Sequence, residues 1–427
     1  MVSVTLGAFA VGTSLSWTSP ALPLLSNSTT SPLEEDITDD EGMWIGSLLA
    51  IGALIGAFPA GYLADTVGRK LTLAGLALPF ILSWLLIIFA NSIGMIYSAR
   101  IFAGIATGGA LGSYFQLLLT IGILFSYGVG AFLNYTVLGI SCCIIPIIYL
   151  AVFFFMPETP SFLLSKGKRS EAISTLKWFR GDNYDVRSEL CKIEEEITEA
   201  RENKATFKDL ISSNANINAL VISLGLMLFQ QLSGINAVIF YTASIFQAAG
   251  SDLDSNVCAI IVGAVQVVVT YFATLLVDLA GRKILLLISS GVMCVCLNIL
   301  GFYFYMKEKD ESSVQGLDWV PLVCVCVYII CFSLGFGPLP WMMMSELFSN
   351  SIKGLASGLA VSLNWILTFV VTRTFVDIIA KMGTDGAFWL FGVITAIGFL
   401  FVCLLVKETK GKSFVEIQRM LGKGFFK

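Results

Sequence analysis

The sequence predicts an all-α, polytopic membrane protein, and composition, apolar run length and an internal repeat all favour this class. Of the 427 residues, 56% are hydrophobic and 13% are charged, and the mean hydropathy is +0.83. Soluble domains carry about 25% charged residues, so this composition fits lipid as the solvent. Apolar runs of 18 or more residues recur, and each is long enough to cross a hydrocarbon core of about 30 Å.

The apolar runs define the order of the spans. The first run lacks the basic region of a secretory signal and similar runs follow it, so we interpret it as the first span. The fourth run is too long for one span and predicts two crossings. The runs cover 2–25, 44–64, 71–90, 93–135, 137–156, 218–247, 256–277, 284–305, 319–345, 354–380 and 386–406.

The charges between the runs predict the orientation. Basic clusters beside the spans mark the cytoplasmic side by the positive-inside rule. The loop after the first span is acidic from Glu34 to Glu41, and glycosylation sequons begin at Asn27 and Asn134, where this rule places the outside. We therefore expect a multi-pass plasma-membrane protein with both termini cytoplasmic. The basic clusters are Arg69-Lys70, Lys166-Lys168-Arg169, Arg282-Lys283 and Lys407-Lys410-Lys412.

A charged stretch divides the chain into two membrane halves. It predicts a short cytoplasmic helical linker, since a charge run is usually a solvated face. The expected domains are an N-terminal transmembrane half at 1–156, the linker at 157–216, a C-terminal transmembrane half at 217–406 and a short cytoplasmic tail at 407–427.

The two halves repeat two motifs. The pattern D-x-x-G-R-K occurs at 65–70 and at 278–283, and Glu-Thr follows the last span of each half, at Glu158 and Glu408. The first motif predicts a tight cytoplasmic turn between the second and third spans of each half, because glycine permits the turn and Arg-Lys holds it inside. Duplicated halves around a central site are typical of secondary transporters.

Together these motifs resemble the sugar porters of the major facilitator superfamily over nearly the whole chain. The resemblance rests on the repeated hinge, PETPSFL, QQLSGINAVIFY (230–241), GPLPW (337–341), SELFSNSIKG (345–354) and KETKGKS. It implies the major facilitator fold, with about twelve spans in two six-helix halves, and facilitative transport of a small neutral sugar by alternating access. The seventh span is most similar to insect facilitated trehalose transporters, and the choice between trehalose and a glucose-type hexose stays open.

The first half is shorter than the second. Asp278 and Glu408 are 130 residues apart, but Asp65 and Glu158 are only 93 apart. The missing length lies mainly before GGALGSYFQ, where the family carries the second half of its fourth helix. We therefore expect a truncated fourth span near 93–110, a turn at Thr107–Gly109 within the membrane, and impaired transport.

Three amides crowd the seventh span and are candidates for sugar binding. On a regular helix Gln231 and Asn236 point about 140° apart. They can share a ligand with Gln230 only if the helix unwinds, and Ser233-Gly234 is a suitable break. The alternative is that these amides form hydrogen bonds between helices.

The resemblance adds further site residues. Gln116, Gln266, Trp341 and Asn364 match the family's sugar site, where amides offer donors and acceptors to hydroxyls. Trp341 follows two prolines that break the tenth span, and its alternative role is an interfacial anchor. Phe240 and Tyr241 match the outer gate, although tyrosine is usual where Phe240 stands.

The resemblance also implies a cytoplasmic ionic network that latches the halves in the outward-facing state. Lys353 replaces the usual arginine and loses bidentate pairing, and Glu158 should lack its family partner. Proton-driven sugar porters carry an aspartate in the first span, where this chain has Ser14, so we predict transport without proton coupling. The network residues are Asp65, Arg69, Glu158, Asp278, Arg282, Glu346, Lys353 and Glu408.

Other classes of function lack support in the sequence. There is no histidine, no cluster of metal ligands and no nucleophile–base pair, so we expect no enzyme, cofactor or metal, and no nucleic-acid partner. Two alternatives to transport stay open: a transporter-like sugar sensor, and a non-transporting, dominant-negative variant of a full-length carrier.

Overall fold

The structure is a computed structural model that describes residues 2–27, 29–109, 116–181, 185–202, 206–250 and 253–423. Within these ranges the chain forms helices and no strand. Eight helical segments are long and apolar enough to cross a membrane on their own. Shorter helices, and one helix that covers two spans, bring the arrangement to twelve spans, and this confirms the predicted fold class.

The first half contains eight helices that make six spans. Two of these spans are interrupted, since α1 and α2 form the first and α4 and α5 form the third. In chain order the helices are α1 (Val2–Ser16), α2 (Thr18–Leu25), α3 (Asp39–Thr66), α4 (Arg69–Gly75), α5 (Ala77–Ile88), α6 (Ile93–Gly109), α7 (Gln116–Phe132) and α8 (Tyr135–Phe154).

Four short helices form the charged stretch between the halves. A small core of Leu176, Val186 and Leu190 and an ion pair of 2.9 Å between Arg180 and Glu189 hold the two longer ones together. These helices are α9 (Pro160–Ser165), α10 (Arg169–Arg180), α11 (Val186–Glu202) and α12 (Phe207–Leu210).

The second half also makes six spans. Its seventh and tenth spans are broken, and the long helix α19 bends at Gly383 (φ 80°) between the eleventh and twelfth spans. The helices are α13 (Asn214–Leu232), α14 (Ile235–Ala249), α15 (Ser255–Ala280), α16 (Arg282–Lys309), α17 (Val320–Leu334), α18 (Leu339–Leu347) and α19 (Asn350–Leu404). In the tail, α20 (Phe414–Gly422) packs on this half: Asn218 donates to the Leu421 carbonyl and Gln418 to that of Leu347.

The repeated hinge has the same geometry in both halves. Gly68 and Gly281 have φ values of 115° and 93°, in the region that favours glycine. Glu158 accepts from the Lys70 amide at 3.0 Å, and Glu408 accepts from the Arg282 and Lys283 amides at 2.9 and 3.0 Å. Each carboxylate thus caps the helix that follows the turn. We call the end of the bundle with these turns the basic end, and the end with residues 34–41 the acidic end.

The fourth and fifth spans cross the bundle in opposite directions. Helix α6 runs parallel to α3, with Gly104 against Leu49 and Gly108 against Ala53. Helix α7 runs parallel to the first span, with Gly122 against Gly12 of α1 and Gly130 against Pro20 of α2. Because α1 and α3 are antiparallel neighbours in the chain, the two crossings expected within 93–135 are present.

The predicted turn at Thr107–Gly109 is wrong. These residues belong to α6, because glycine lets its backbone touch α3: a Cβ on Gly108 would collide with the Ala53 carbonyl. The connection to α7 falls at 110–115, outside the described residues. Helix α6 has 17 residues and a length of about 25 Å, less than the hydrocarbon core of about 30 Å.

Candidate functional site

The seventh span unwinds between two of the candidate amides. Helix α13 ends at Leu232, Gly234 takes a left-handed conformation (φ 88°), and α14 begins at Ile235. The break turns the Asn236 amide toward Gln231, and its Nδ2 donates to the Gln231 Oε1 and, at 3.2 Å, to Thr368 Oγ1. The expected break at Ser233-Gly234 is therefore confirmed. Thr368 on α19 is an additional residue of this site.

A second pair of amides lies beside the first. Asn364 Nδ2 donates to Gln230 Oε1 at 3.2 Å. Gln230 Nε2 in turn donates to the carbonyls of Phe336 and Gly337, at 2.7 and 2.9 Å. These two carbonyls belong to the break between α17 and α18, so the unwound parts of two spans meet here. We call Gln230, Gln231, Asn236 and Asn364 the amide cluster.

The amide cluster is suited to a neutral polyol. Amides donate and accept hydrogen bonds without a charge, so binding a hydroxyl there requires no charge to lose its hydration. Gln230, Gln231 and Asn364 are buried. In this conformation the amides bond to one another, and a sugar would replace those bonds with bonds to its hydroxyls.

The other predicted sugar residues lie on surrounding helices. Gln266 is buried on α15, and its Oε1 has no hydrogen-bond partner among the described residues. Gln116 is the first residue of α7 and is half-buried. Trp341 is half-buried in α18, just after the predicted break in the tenth span. In the described part of the chain no hydrogen bond connects these three to the amide cluster.

The two predicted gate residues, Phe240 and Tyr241, are buried where the halves meet. Helix α14 bends at Tyr241 (φ −118°, ψ 20°), and the Tyr241 hydroxyl donates to the Thr372 carbonyl at 3.2 Å. A Cβ on Gly46 of α3 would come within 3.1 Å of this hydroxyl and 3.8 Å of the Phe240 ring. Both side chains thus lie against the second span, on the acidic-end side of the amide cluster.

Polar contacts between the halves close the acidic end. Tyr127 donates to the Ile239 carbonyl at 2.7 Å, and the Ala243 amide donates to Ser19 Oγ at 3.2 Å. Arg373 on α19 pairs with Asp40 on α3 at 2.6 Å. The arginine also pairs with Asp377 at 3.2 Å and lies over the Trp44 ring at 5.1 Å. Sequence reasoning missed this pair, although a charge inside an apolar run was its signal.

The described contacts of the predicted ionic network lie within single halves. Arg282 pairs with Glu346 at 3.1 Å, and Glu346 also accepts from the Thr409 hydroxyl. Glu158 bonds to the backbone of its own half. No ion pair is described for Asp65, Arg69 or Lys353, and the Asp278 side chain lies outside the described atoms. Among the described residues, the polar contacts between the halves therefore lie at the acidic end rather than within this network.

Arg100 is a buried charge that sequence reasoning also missed. It lies in α6 and donates to the Ile45 and Ser14 carbonyls at 2.8 and 2.7 Å and to Thr18 Oγ1 at 3.1 Å. Its guanidinium lies over the Trp17 ring at 5.5 Å. Proton-driven sugar porters carry an aspartate at the position of Ser14. In this chain the backbone carbonyl of Ser14 accepts a hydrogen bond from Arg100. An arginine inside an apolar run was the available signal.

Both predicted glycosylation sites are exposed at the acidic end. Asn27 Oδ1 accepts from the Thr29 amide at 3.0 Å, and Ser28 lies outside the described residues. Asn134 caps α8 by accepting from the Val137 amide at 3.0 Å. Their modification stays a prediction.

Comparison with known families decides the classification. The model of the "Sugar (and other) transporter" family matches residues 107–421, and that of the Major Facilitator Superfamily matches residues 4–114. The chain belongs to the sugar transporter family of the major facilitator superfamily. The boundary between the two matches falls where α6 ends.

Relatives of this sugar transporter cover almost the whole chain. It is 41% identical to the facilitated trehalose transporter Tret1 of Polypedilum vanderplanki, over 99% of this chain and 87% of that protein. It is 42% identical to the Tret1-2 homolog of Drosophila simulans, over 99% of this chain and 90% of the relative. The first alignment extends over 444 positions, more than the 427 residues present, so some positions of the relative have no counterpart here.

A solved structure supports the fold. The inward open conformation of the xylose transporter XylE from E. coli superposes with a TM-score of 0.80 and 23% identity, covering 98% of both chains. At this identity the likeness establishes the major facilitator fold.

Proposed function

We propose that this protein carries a neutral sugar across the plasma membrane by alternating access. The amide cluster is the observation that supports this most directly, because neutral donors and acceptors converge there from three spans, two of them broken. Discontinuous helices near the midplane are the usual substrate sites of secondary transporters. The positive-inside rule supports a cytoplasmic position for the basic end, the linker and both termini.

The contacts of the acidic end describe one state of this cycle. Rocking the halves apart at that end breaks the Arg373–Asp40 pair and releases Tyr241 from α3. The ionic network, with Lys353 and Glu408, would then join the halves at the basic end, as state-dependent pairs do. The outward-facing state thus exchanges one set of polar contacts for another.

We propose trehalose as the substrate, because the relatives at 41% and 42% identity are named facilitated trehalose transporters. Uptake of labelled trehalose by oocytes that express the chain tests this. Unlabelled trehalose should compete more strongly than glucose at equal concentration. Stronger competition by glucose would assign the site to a hexose, and no saturable uptake of either sugar would reject the transport proposal.

We predict that transport is not coupled to protons. Ser14 offers no carboxylate beside Arg100, and sequence places Ser333 at a further position where the family has an acidic residue. Uptake into vesicles should therefore stop at the outside concentration, with or without an imposed pH gradient. Accumulation above that concentration, abolished by a protonophore, would contradict the prediction.

The truncated fourth span favours a second candidate function. A chain that delivers sugar poorly but keeps its binding face would act as a non-transporting partner of a full-length carrier. Co-expression with such a carrier tests this: a non-transporting partner lowers the carrier's uptake at constant carrier abundance, whereas an independent transporter adds to it.

A further inference from the structure

A groove of about 340 Å³ lies beside the end of α6, between α3 and the α4–α5 pair. Gly56 and Ile105, where α6 packs on α3, line one part, and Leu63 and Leu71 line the part near the Gly68 turn. Thr72 is the one lining residue with a polar side chain, and its hydroxyl donates to the Gly68 carbonyl at 2.7 Å. The groove therefore offers a polar ligand or water few hydrogen-bonding groups.

The groove lies beside the last described turn of α6. A Cβ on Gly109 would lie 2.7 Å from a Leu76 methyl and 3.2 Å from the Ala60 Cβ, so the last turn of α6 packs against two lining residues. Helix α3 continues from Ala60 to Thr66 without α6 beside it. In the second half the tenth span does not stop there, since α18 continues past its break to Leu347.

The surroundings of the groove are lipid-facing. Phe58, Tyr62 and Leu78 flank it, and between 63% and 72% of each side chain is exposed. They belong to membrane spans, so the groove is continuous with the surface that contacts acyl chains. At the basic end Arg69 is exposed, between the lining residues Val67 and Leu71 in the chain. A basic residue directly after a span is expected at the level of the lipid phosphates.

We infer that this groove is a lipid site. An acyl chain of an anionic phospholipid, from the leaflet at the basic end, lies along α3 and covers the apolar lining of the groove. Arg69 lies beside the phosphate of that lipid. The apolar lining of the groove suits an acyl chain. The positive charge of Arg69 complements the negative charge of the lipid phosphate. This inference is independent of whether the chain transports sugar.

Two glycines provide a matched test. A Cβ on Gly75 or on Gly61 meets no atom within 4 Å, and both glycines lie in helices, but only Gly75 lines the groove. The Gly75→Trp variant should fill the groove and Gly61→Trp should leave it open. The full chain is purified in detergent, which removes lipid from exposed surfaces. The probe added to it is phosphatidylglycerol that carries a photoreactive diazirine on one acyl chain.

Cross-linked peptides are then located by mass spectrometry. In the unmodified chain, label should concentrate on 55–67 and 71–79 relative to the exposed Leu82. Gly75→Trp should lower labelling of the groove about tenfold, whereas Gly61→Trp should leave it unchanged. A tenfold loss corresponds to losing the burial of about two methylenes. Arg69→Gln should lower labelling by the anionic probe and leave labelling by a phosphatidylcholine probe unchanged.

Three outcomes would overturn the inference. The first is labelling in the groove that is no higher than labelling at Leu82. The second is equal labelling of Gly75→Trp and the unmodified chain. The third is the cross-linking of a co-purified protein, instead of the lipid probe, to the groove. If Gly75→Trp does not elute as a folded monodisperse protein, the chain with a family half-helix inserted after Gly109 replaces it. That helix occupies the groove, so persistent groove labelling in it would also reject the lipid site.

Discussion

The fourth and tenth spans occupy equivalent places in the two halves and end differently. The tenth span continues through α18 and presents Glu346 to Arg282 at 3.1 Å, whereas the fourth stops at Gly109 and leaves Arg69 exposed without a described ion pair. The turns beside them are nevertheless alike, with Glu158 and Glu408 capping the helices that follow. The capping contact thus forms in both halves, whatever the length of the neighbouring span, whereas the ion pair requires Glu346 on α18.

The largest effect is expected from restoring the missing helix. Inserting the second half of a relative's fourth helix after Gly109 should raise surface abundance and sugar uptake together. The physical reason is that α6 has 17 residues and is about 25 Å long, shorter than the hydrocarbon core of about 30 Å. Surface biotinylation and labelled-sugar uptake measure the two quantities.

A scrambled insert of equal length is the control for this experiment. If the present chain already matches the restored chain in abundance and in uptake, the truncation is harmless, and the halves are functionally equivalent despite their difference.

The next effect concerns the Arg282–Glu346 ion pair, which has no equivalent among the described residues of the first half. Arg282→Ala should lower the free energy of unfolding by about 1.5–3 kcal/mol, because Glu346 is 24% exposed and loses a charged partner. The equivalent Arg69→Ala should change it by less than about 0.5 kcal/mol. Denaturant unfolding in micelles compares the two variants. Equal losses would show that Arg69 has a partner as strong as that of Arg282.

A smaller effect is expected in the amide cluster, which the second half alone supplies. Gln231→Ala and Asn236→Ala should each weaken sugar binding two- to tenfold, since one hydrogen bond to a neutral ligand is worth about 0.5–1.5 kcal/mol. Because the two side chains bond to each other, the double variant should be less than additive. Equilibrium sugar binding to purified protein is the measurement.

Asn298→Ala is the matched control, because that amide is exposed and donates to its own helix at the Cys294 carbonyl. Unchanged sugar affinity in correctly folded Gln231→Ala would mean that the cluster only holds the helices together.

The smallest effect concerns the carboxylate cap of the second half. Burial raises the pKa of Glu408, but bonds from the amides of Lys410, Arg282, Lys283 and Thr409 outweigh it and hold the pKa below its usual 4.5. A lowered pKa in the folded state gives stability that is present above pH 4.5 and is lost as the pH falls through the lowered value. Glu408→Gln should flatten the acid limb of the unfolding curve. An unchanged limb would show that the cap contributes nothing to stability.

The sequence predicts the spans and the broken seventh helix because these depend on local chemistry. Hydropathy locates spans, and the separation of Gln231 from Asn236 requires the break that Gly234 provides. The prediction placed a turn at Thr107–Gly109 because glycines are common in turns. In the structure Gly108 instead allows α6 to pack closely against Ala53 of α3. Contacts between helices far apart in the chain, such as Arg373–Asp40 and Gln230–Asn364, depend on how the helices pack. The spacing of residues along the sequence does not predict that packing.

The arginine in the fourth span bears on how the chain enters the membrane during synthesis. A charged residue near the middle of a short apolar segment resists insertion from the translocon, at a cost of about 2.5–3.5 kcal/mol. The Arg100 guanidinium donates hydrogen bonds to the Ser14 and Ile45 carbonyls and to the Thr18 hydroxyl. These acceptors belong to segments that leave the ribosome earlier. The first two spans must therefore stay close to the insertion site until the fourth arrives, so this half assembles in the order of its synthesis.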